Sequence, residues 1–203
     1  MMNELMHQCP ITFGYSCGII AMIIISLLGI LPPISLVYYK KAVFHDFELW
    51  RLVTGLFYFG KPDFMMLISL AFRIKFMHTL ETTVYNQRKS TFLFIILLMI
   101  IPVYILSDVF GSFSSALSLS EAIEMLAGKL MQANMLIFGI IPIPIRFVPI
   151  FQIFMSVVQN QSPIPIIIGI LSGHLVFYLL YIFPVITKTP IFRTPNFLRQ
   201  LLD

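Results

Sequence analysis

An all-helical membrane bundle of about six spans is predicted by three features of this 203-residue chain. It is 59% hydrophobic with a mean hydropathy of +0.94. Only 11% of its residues are charged, against about 25% in soluble domains, too few to build a solvated shell. Its apolar residues fall into runs near the roughly 20 needed to cross a hydrocarbon core about 30 Å thick. An ordinary cytosolic enzyme is excluded. The net charge of +4 does not indicate nucleic acid either, because the basic residues are scattered instead of forming a run interleaved with aromatics.

The first span is predicted over about residues 13–31, closing at Pro32-Pro33, where a helix cannot continue. Without a basic n-region and with a long apolar core, it reads as a retained span and not a cleaved signal. Residues 34–62 mix Lys40, Lys41, Asp46, Glu48, Trp50 and Arg51 with Tyr and Phe, a composition suited to the membrane interface. A second span, about 63–84, carries Arg73, Lys75, His78 and Glu81, charges that must face protein or water. The third, about 92–107, is continuously apolar and contains Pro102.

After a Ser- and Gly-rich loop, a fourth span of about 119–138 carries Glu121, Glu124 and Lys129, again predicting an inward or aqueous face. Pro142, Pro144 and Pro149 separate it from a short fifth span, about 149–159. A sixth runs over about 163–184, and a polar tail occupies 187–203. The whole reads as one domain. Arg88, Lys89, Arg146, Lys188, Arg193 and Arg199 outnumber Lys40, Lys41, Arg51 and Lys61 across alternate loops, which predicts cytosolic termini.

Chemistry-bearing residues are sparse. His7, His45, His78 and His174 are scattered without metal-ligand spacing, the two cysteines make neither a zinc site nor a disulfide framework, and no phosphate-binding glycine loop is present, so neither metal nor cofactor is expected. Helical spacing puts Lys75, His78 and Thr82 on one stripe with Glu81 a turn from His78, forming either a hydrophilic groove or an internal salt-bridge network. Gly169 and Gly173 form a small-xxx-small pattern for close helix packing, beside an intramembrane His174. A serine protease would need a nucleophile near that imidazole. Ser112, Ser114, Ser115, Ser118 and Ser120 are the candidates, and none lies in a Gly-x-Ser-Gly turn.

Residues 47–60, Phe-Glu-Leu-Trp-Arg-Leu-Val-Thr-Gly-Leu-Phe-Tyr-Phe-Gly, resemble the Trp-Arg loop motif of Derlins, rhomboid-like pseudoproteases of the endoplasmic reticulum. Pro10-Ile11-Thr12, Leu80-Glu81, Phe138-Gly139 with Phe147 and Pro149, Gly169 to His174, Phe183-Pro184 and the tail from Arg193 to Arg199 continue the resemblance along nearly the whole chain. It implies a six-helix rhomboid-like bundle and a non-catalytic role in moving misfolded proteins out of the endoplasmic reticulum for degradation. His174 looks like a relic of the rhomboid histidine, and Leu119-Ser120-Glu121-Ala122 stands where rhomboids have their nucleophile motif. The implied partners are misfolded substrates, a membrane ubiquitin-ligase complex, the bilayer itself and another copy of the chain or a second membrane protein. The 203 residues contain no Phe-x-Gly-x-Gly box, so the AAA ATPase segregase is expected to act indirectly. In this reading Trp50 and Arg51 hold the loop, Gly169, Gly173 and His174 serve helix packing or lateral opening, and Lys75, His78, Glu81 and Thr82 line the groove. An active rhomboid protease and a small transporter are the alternatives; no inverted repeat supports the latter.

Overall fold

The computed structural model describes residues 8–131, 134–137, 141–189, 192 and 194–202. Helix α1 spans Pro10–Leu27. Gly29, at a φ of 65°, turns the chain left-handed, and the amides of Gly29 and Ile30 bond back to the carbonyls of Ser26 and Ile25. This Schellman arrangement stops the helix four residues before the expected end, ahead of the proline pair. The loop that follows folds into two short helices, α2 (Lys40–Phe44) and α3 (Arg51–Thr54).

Helix α4, Phe64–Thr79, starts at Asp63, whose Oδ1 accepts from the Met66 amide at 2.7 Å, and continues through a π-helical turn over Leu80–Val84. Helix α5 is Lys89–Val109 and passes through Pro102. Helix α6 is Ser115–Leu130, starting and ending earlier than the 119–138 expected. Its end is set by a two-stranded antiparallel hairpin, β1 (Asn134–Ile137) and β2 (Ile141–Pro144), which pairs Leu136 with Pro142 and Asn134 with Pro144. Pro142 and Pro144 lack the amide a helix would require there. The Phe138-Gly139 part of the expected turn lies outside the described residues.

Helix α7, Val148–Val158, has Pro149 in its first turn, where no amide is needed. Helix α8 runs Ile164–Thr187, with a π-helical segment at Tyr178–Ile182, and ends at a left-handed Lys188. The tail closes with α9, Asn196–Leu202, which packs against α5, burying Leu198 and setting Thr194 Oγ1 3.2 Å from Thr91 Oγ1.

Among the described residues, α1, α5 and α8 are long and apolar enough to cross a membrane; α7 is apolar but shorter. The core lies between α4, α5, α6 and α8, around Phe92, Ile95, Met99, Leu119, Leu126 and Val176. The tightest contact is α6 on α8. A Cβ on Gly169 would stand 2.3 Å from Glu121 Cβ and 2.5 Å from Ser118 O, and one on Gly173 would stand 2.6 Å from Ala122 O. Glycine at both positions lets the two backbones meet.

Candidate functional site

The predicted groove residues do not share one surface. Lys75 is exposed, while His78 and Thr82 are half-buried, with Thr82 Oγ1 donating to the His78 carbonyl at 2.8 Å. Glu81, one position off their stripe, is fully buried and turned toward α1. Its Oε1 accepts from the Ile11 amide at 3.0 Å, and its Oε2 accepts from the Thr12 amide at 2.7 Å and from Thr12 Oγ1 at 2.6 Å. These amides lie in the first turn of α1, where no residue of the helix can accept from them. Cys9, at the cap position, makes no side-chain capping bond. Glu81 is therefore a cap for α1 supplied from another helix, its carboxyl oxygens set against the orphan amides of the first turn. That removes it from the groove.

The Trp-Arg pair divides its labour. Arg51, 8% exposed, points into the loop, where its guanidinium donates to the carbonyls of Ile34 and Val37 and to the Glu48 carboxylate. Thr54 Oγ1 adds a bond to Leu36 O at 3.0 Å. Together they tie residues 34–37 to α3. Trp50 is half exposed and points outward with Phe44, Phe47, Leu49 and Val53, an apolar surface on the outside of the loop. Tyr104 Oη donates to Leu52 O at 2.5 Å, and Lys40 pairs with Asp108 at 2.5 Å, fastening the loop to α5. The hydrogen bond to Asp108 raises the Lys40 ammonium above its ordinary value.

A polar centre that sequence reasoning left without partners lies inside the bundle. Arg73 of α4 places Nη1 2.9 Å from Ser120 Oγ and 3.1 Å from Glu124 Oε1 of α6. Its Nη2 lies 2.7 Å from Glu121 Oε1 and 3.1 Å from Gln152 Oε1 of α7. Gln152 Nε2 closes the ring by donating to Glu124 Oε2 at 2.6 Å. The need of Arg73, Glu121 and Glu124 for an inward face was legible. Their meeting, and the part of Gln152, were not. The available signal was the i, i+3 spacing of the two glutamates opposite a lone intramembrane arginine. Lys129 instead lies on the outside, its Nζ 5.9 Å from the centre of the Phe177 ring.

Ser120 is held within this centre: its hydroxyl donates to Leu117 O at 2.9 Å and accepts from Arg73. His174 is exposed on α8. Among the described residues no hydrogen bond joins the two. Ser118 likewise donates to the Ser114 carbonyl at 3.2 Å. No group of three or more metal-ligating side chains occurs among the described residues.

Fold and site together define a multi-pass helical membrane protein with a polar cluster buried inside an apolar bundle. The model of the Der1-like family matches residues 9–196. Derlin-1 of Arabidopsis thaliana is 22% identical over 95% of this chain and 74% of its own length. Derlin-1.2 of Zea mays is 24% identical over 95% and 81%, and Derlin-2.2 of Zea mays 23% identical over 98% and 85%. The chain belongs to the Der1-like family.

Proposed function

We propose that this protein is a non-catalytic Derlin-like factor of endoplasmic-reticulum-associated degradation, assisting misfolded proteins out of the membrane toward ubiquitination. Membership of the Der1-like family across nearly the whole chain is the observation that carries this reading. The arrangement of Ser120 and His174 supports the non-catalytic part. A nucleophile must sit within hydrogen-bond reach of its base. Here the serine bonds to an arginine and a carbonyl while the histidine is exposed on another helix.

In this reading α1, α4, α5, α6, α7 and α8 are six spans of a rhomboid-like bundle in the endoplasmic reticulum membrane, with both termini cytosolic. Helix α7 has 11 residues, about 16 Å at 1.5 Å per residue, well short of a core about 30 Å thick. Such mismatch is relieved by local thinning at a cost of fractions of a kcal/mol per Å. The barrier to polar substrate segments falls where the bilayer thins. A membrane ubiquitin ligase receives the substrate, and the AAA ATPase acts through that complex.

The test is the turnover of a misfolded endoplasmic-reticulum reporter in cells lacking the protein. Wild type and a Ser120→Ala, His174→Ala variant are expected to restore turnover, while Trp50→Ala with Arg51→Ala, expressed at equal level, is not. Failure of the Ser/His variant alone would replace this reading with an intramembrane protease.

A further inference from the structure

The Arg73 centre contains one fixed positive charge and two carboxylates, all withdrawn from solvent: the side chains of Arg73, Glu121 and Glu124 are 11%, 0% and 2% exposed. If both glutamates were ionised the cluster would hold one uncompensated negative charge inside the bundle. A buried charge without a partner is among the most costly features a membrane interior can contain, and the usual relief is a change of protonation. Among the described residues, further cations do not supply the balance. Lys75, Lys129 and Arg146 are exposed on the bundle, with Lys129 and Arg146 engaged on the Phe177 and Phe147 rings.

The hydrogen bonds distinguish the two acids. Both oxygens of Glu124 accept, Oε1 from Arg73 and Oε2 from the Gln152 amide, so each oxygen of that carboxylate has a donor. Glu121 is different: Oε1 makes a close 2.7 Å ion-pair contact with Arg73, but among the described residues neither oxygen receives a well-directed hydrogen bond. The groups facing Glu121 are Arg73 from α4, Glu124 from its own helix and the bare backbone of Gly169 from α8. Beside Arg73 and Ser120 lies a cavity of about 10 Å³, also lined by Tyr15, space for one water. An anion with an orphan oxygen in this setting is disfavoured more strongly than a neutral carboxylic acid.

We propose that the Glu121–Glu124 pair binds one proton, making the cluster a neutral proton site at the junction of α4, α6 and α7. Because the two acids share one arginine, the proton belongs to the pair, and the geometry puts it on Glu121. The site is independent of the retrotranslocation reading and stands or falls without it.

Infrared spectroscopy of the protein in lipid nanodiscs at neutral pH tests it. The expected result is one protonated-carboxyl stretch that shifts on labelling with carbon-13 glutamate and moves in heavy water. Glu121→Gln and Glu124→Gln each leave one acid facing one base, so both are expected to lose the band. Arg73→Gln removes the base and is expected to double the band's area. A wild type without the labelled band, a band that survives in either single glutamine variant, or an unchanged area in Arg73→Gln overturns the proposal. Should one glutamine variant not fold, loss of the band in the other still assigns it to the pair, and a wild type without the band still overturns the proposal.

Discussion

Replacing Gly169 by alanine separates packing from every other effect of a glycine substitution in this protein. The added Cβ would meet Glu121 Cβ at 2.3 Å and Ser118 O at 2.5 Å, where ordinary contact begins at 3.4 Å. Neither neighbour is a flexible side-chain end, so α6 and α8 must part by about 1 Å. Overpacking of this kind costs about 1–3 kcal/mol. Here it belongs at the upper end, because moving Glu121 also disturbs its 2.7 Å contact with Arg73. Three further glycines set the scale. At Gly173 the nearest atom, Ala122 O at 2.6 Å, is also backbone, and about 1–2 kcal/mol is expected. At Gly18 the obstacle is the partly buried Phe57 ring at 2.6 Å, a side chain and not backbone, and about 1 kcal/mol is expected. At Gly14 nothing lies within 4 Å, and no packing cost is expected. All four sit within helices, so alanine's better helix propensity, up to about 1 kcal/mol, is common to the series and cancels in the ranking. Reversible unfolding in mild detergent reads the order directly. If Gly169→Ala unfolds with Gly14→Ala, the α6–α8 contact is not the tight seam described, and the packing argument fails.

Glu81→Ala strips the first turn of α1 of its acceptor and is expected to cost about 3 kcal/mol, at about 1–3 kcal/mol for each buried donor left unsatisfied; hydrogen exchange at Ile11 and Thr12 should accelerate by the same factor. Trp50 is the only tryptophan, so its fluorescence reports the loop alone; it should be quenched by spin labels near the lipid headgroups more strongly than by labels at the bilayer centre, and Arg51→Ala should broaden that depth profile. The raised Lys40 ammonium contributes its share of loop attachment at neutral pH and loses it as pH rises past the ordinary lysine range, so the ratio of Trp50 quenching by headgroup and bilayer-centre spin labels should be flat through neutrality and change only in alkali, a change absent in Lys40→Met. Tyr181→Phe removes one partner of the Tyr85–Tyr181 hydroxyl contact and should destabilise by about 1 kcal/mol in the same unfolding assay.

Length, composition and apolar runs determined by themselves that the chain is a helical membrane protein, and nearly where its helices lie, because a span must be apolar over a fixed length whatever it packs against. The order of the Trp-Arg loop, the glycine pair and the Thr-Pro tail was enough to identify the family, since those residues are contiguous in the chain. That Arg73, Glu121 and Glu124 need an inward or aqueous face was also legible, because a charge within a span must meet protein or water; the same expectation did not turn Lys75 and Lys129 inward. Which inward partner each charge meets was not, since nothing local distinguishes Glu81 from the glutamates of α6. Glu81 caps α1 from 69 and 70 residues away, while Arg73 reaches Gln152 across 79. The early end of α6 was hidden for a related reason: its last residues read as helix, and pairing of 134–137 with 141–144 decides otherwise. Periodicity fixes which face of a helix turns inward. Only the assembled bundle decides what stands opposite it, because donors and acceptors are matched across space and not along the chain.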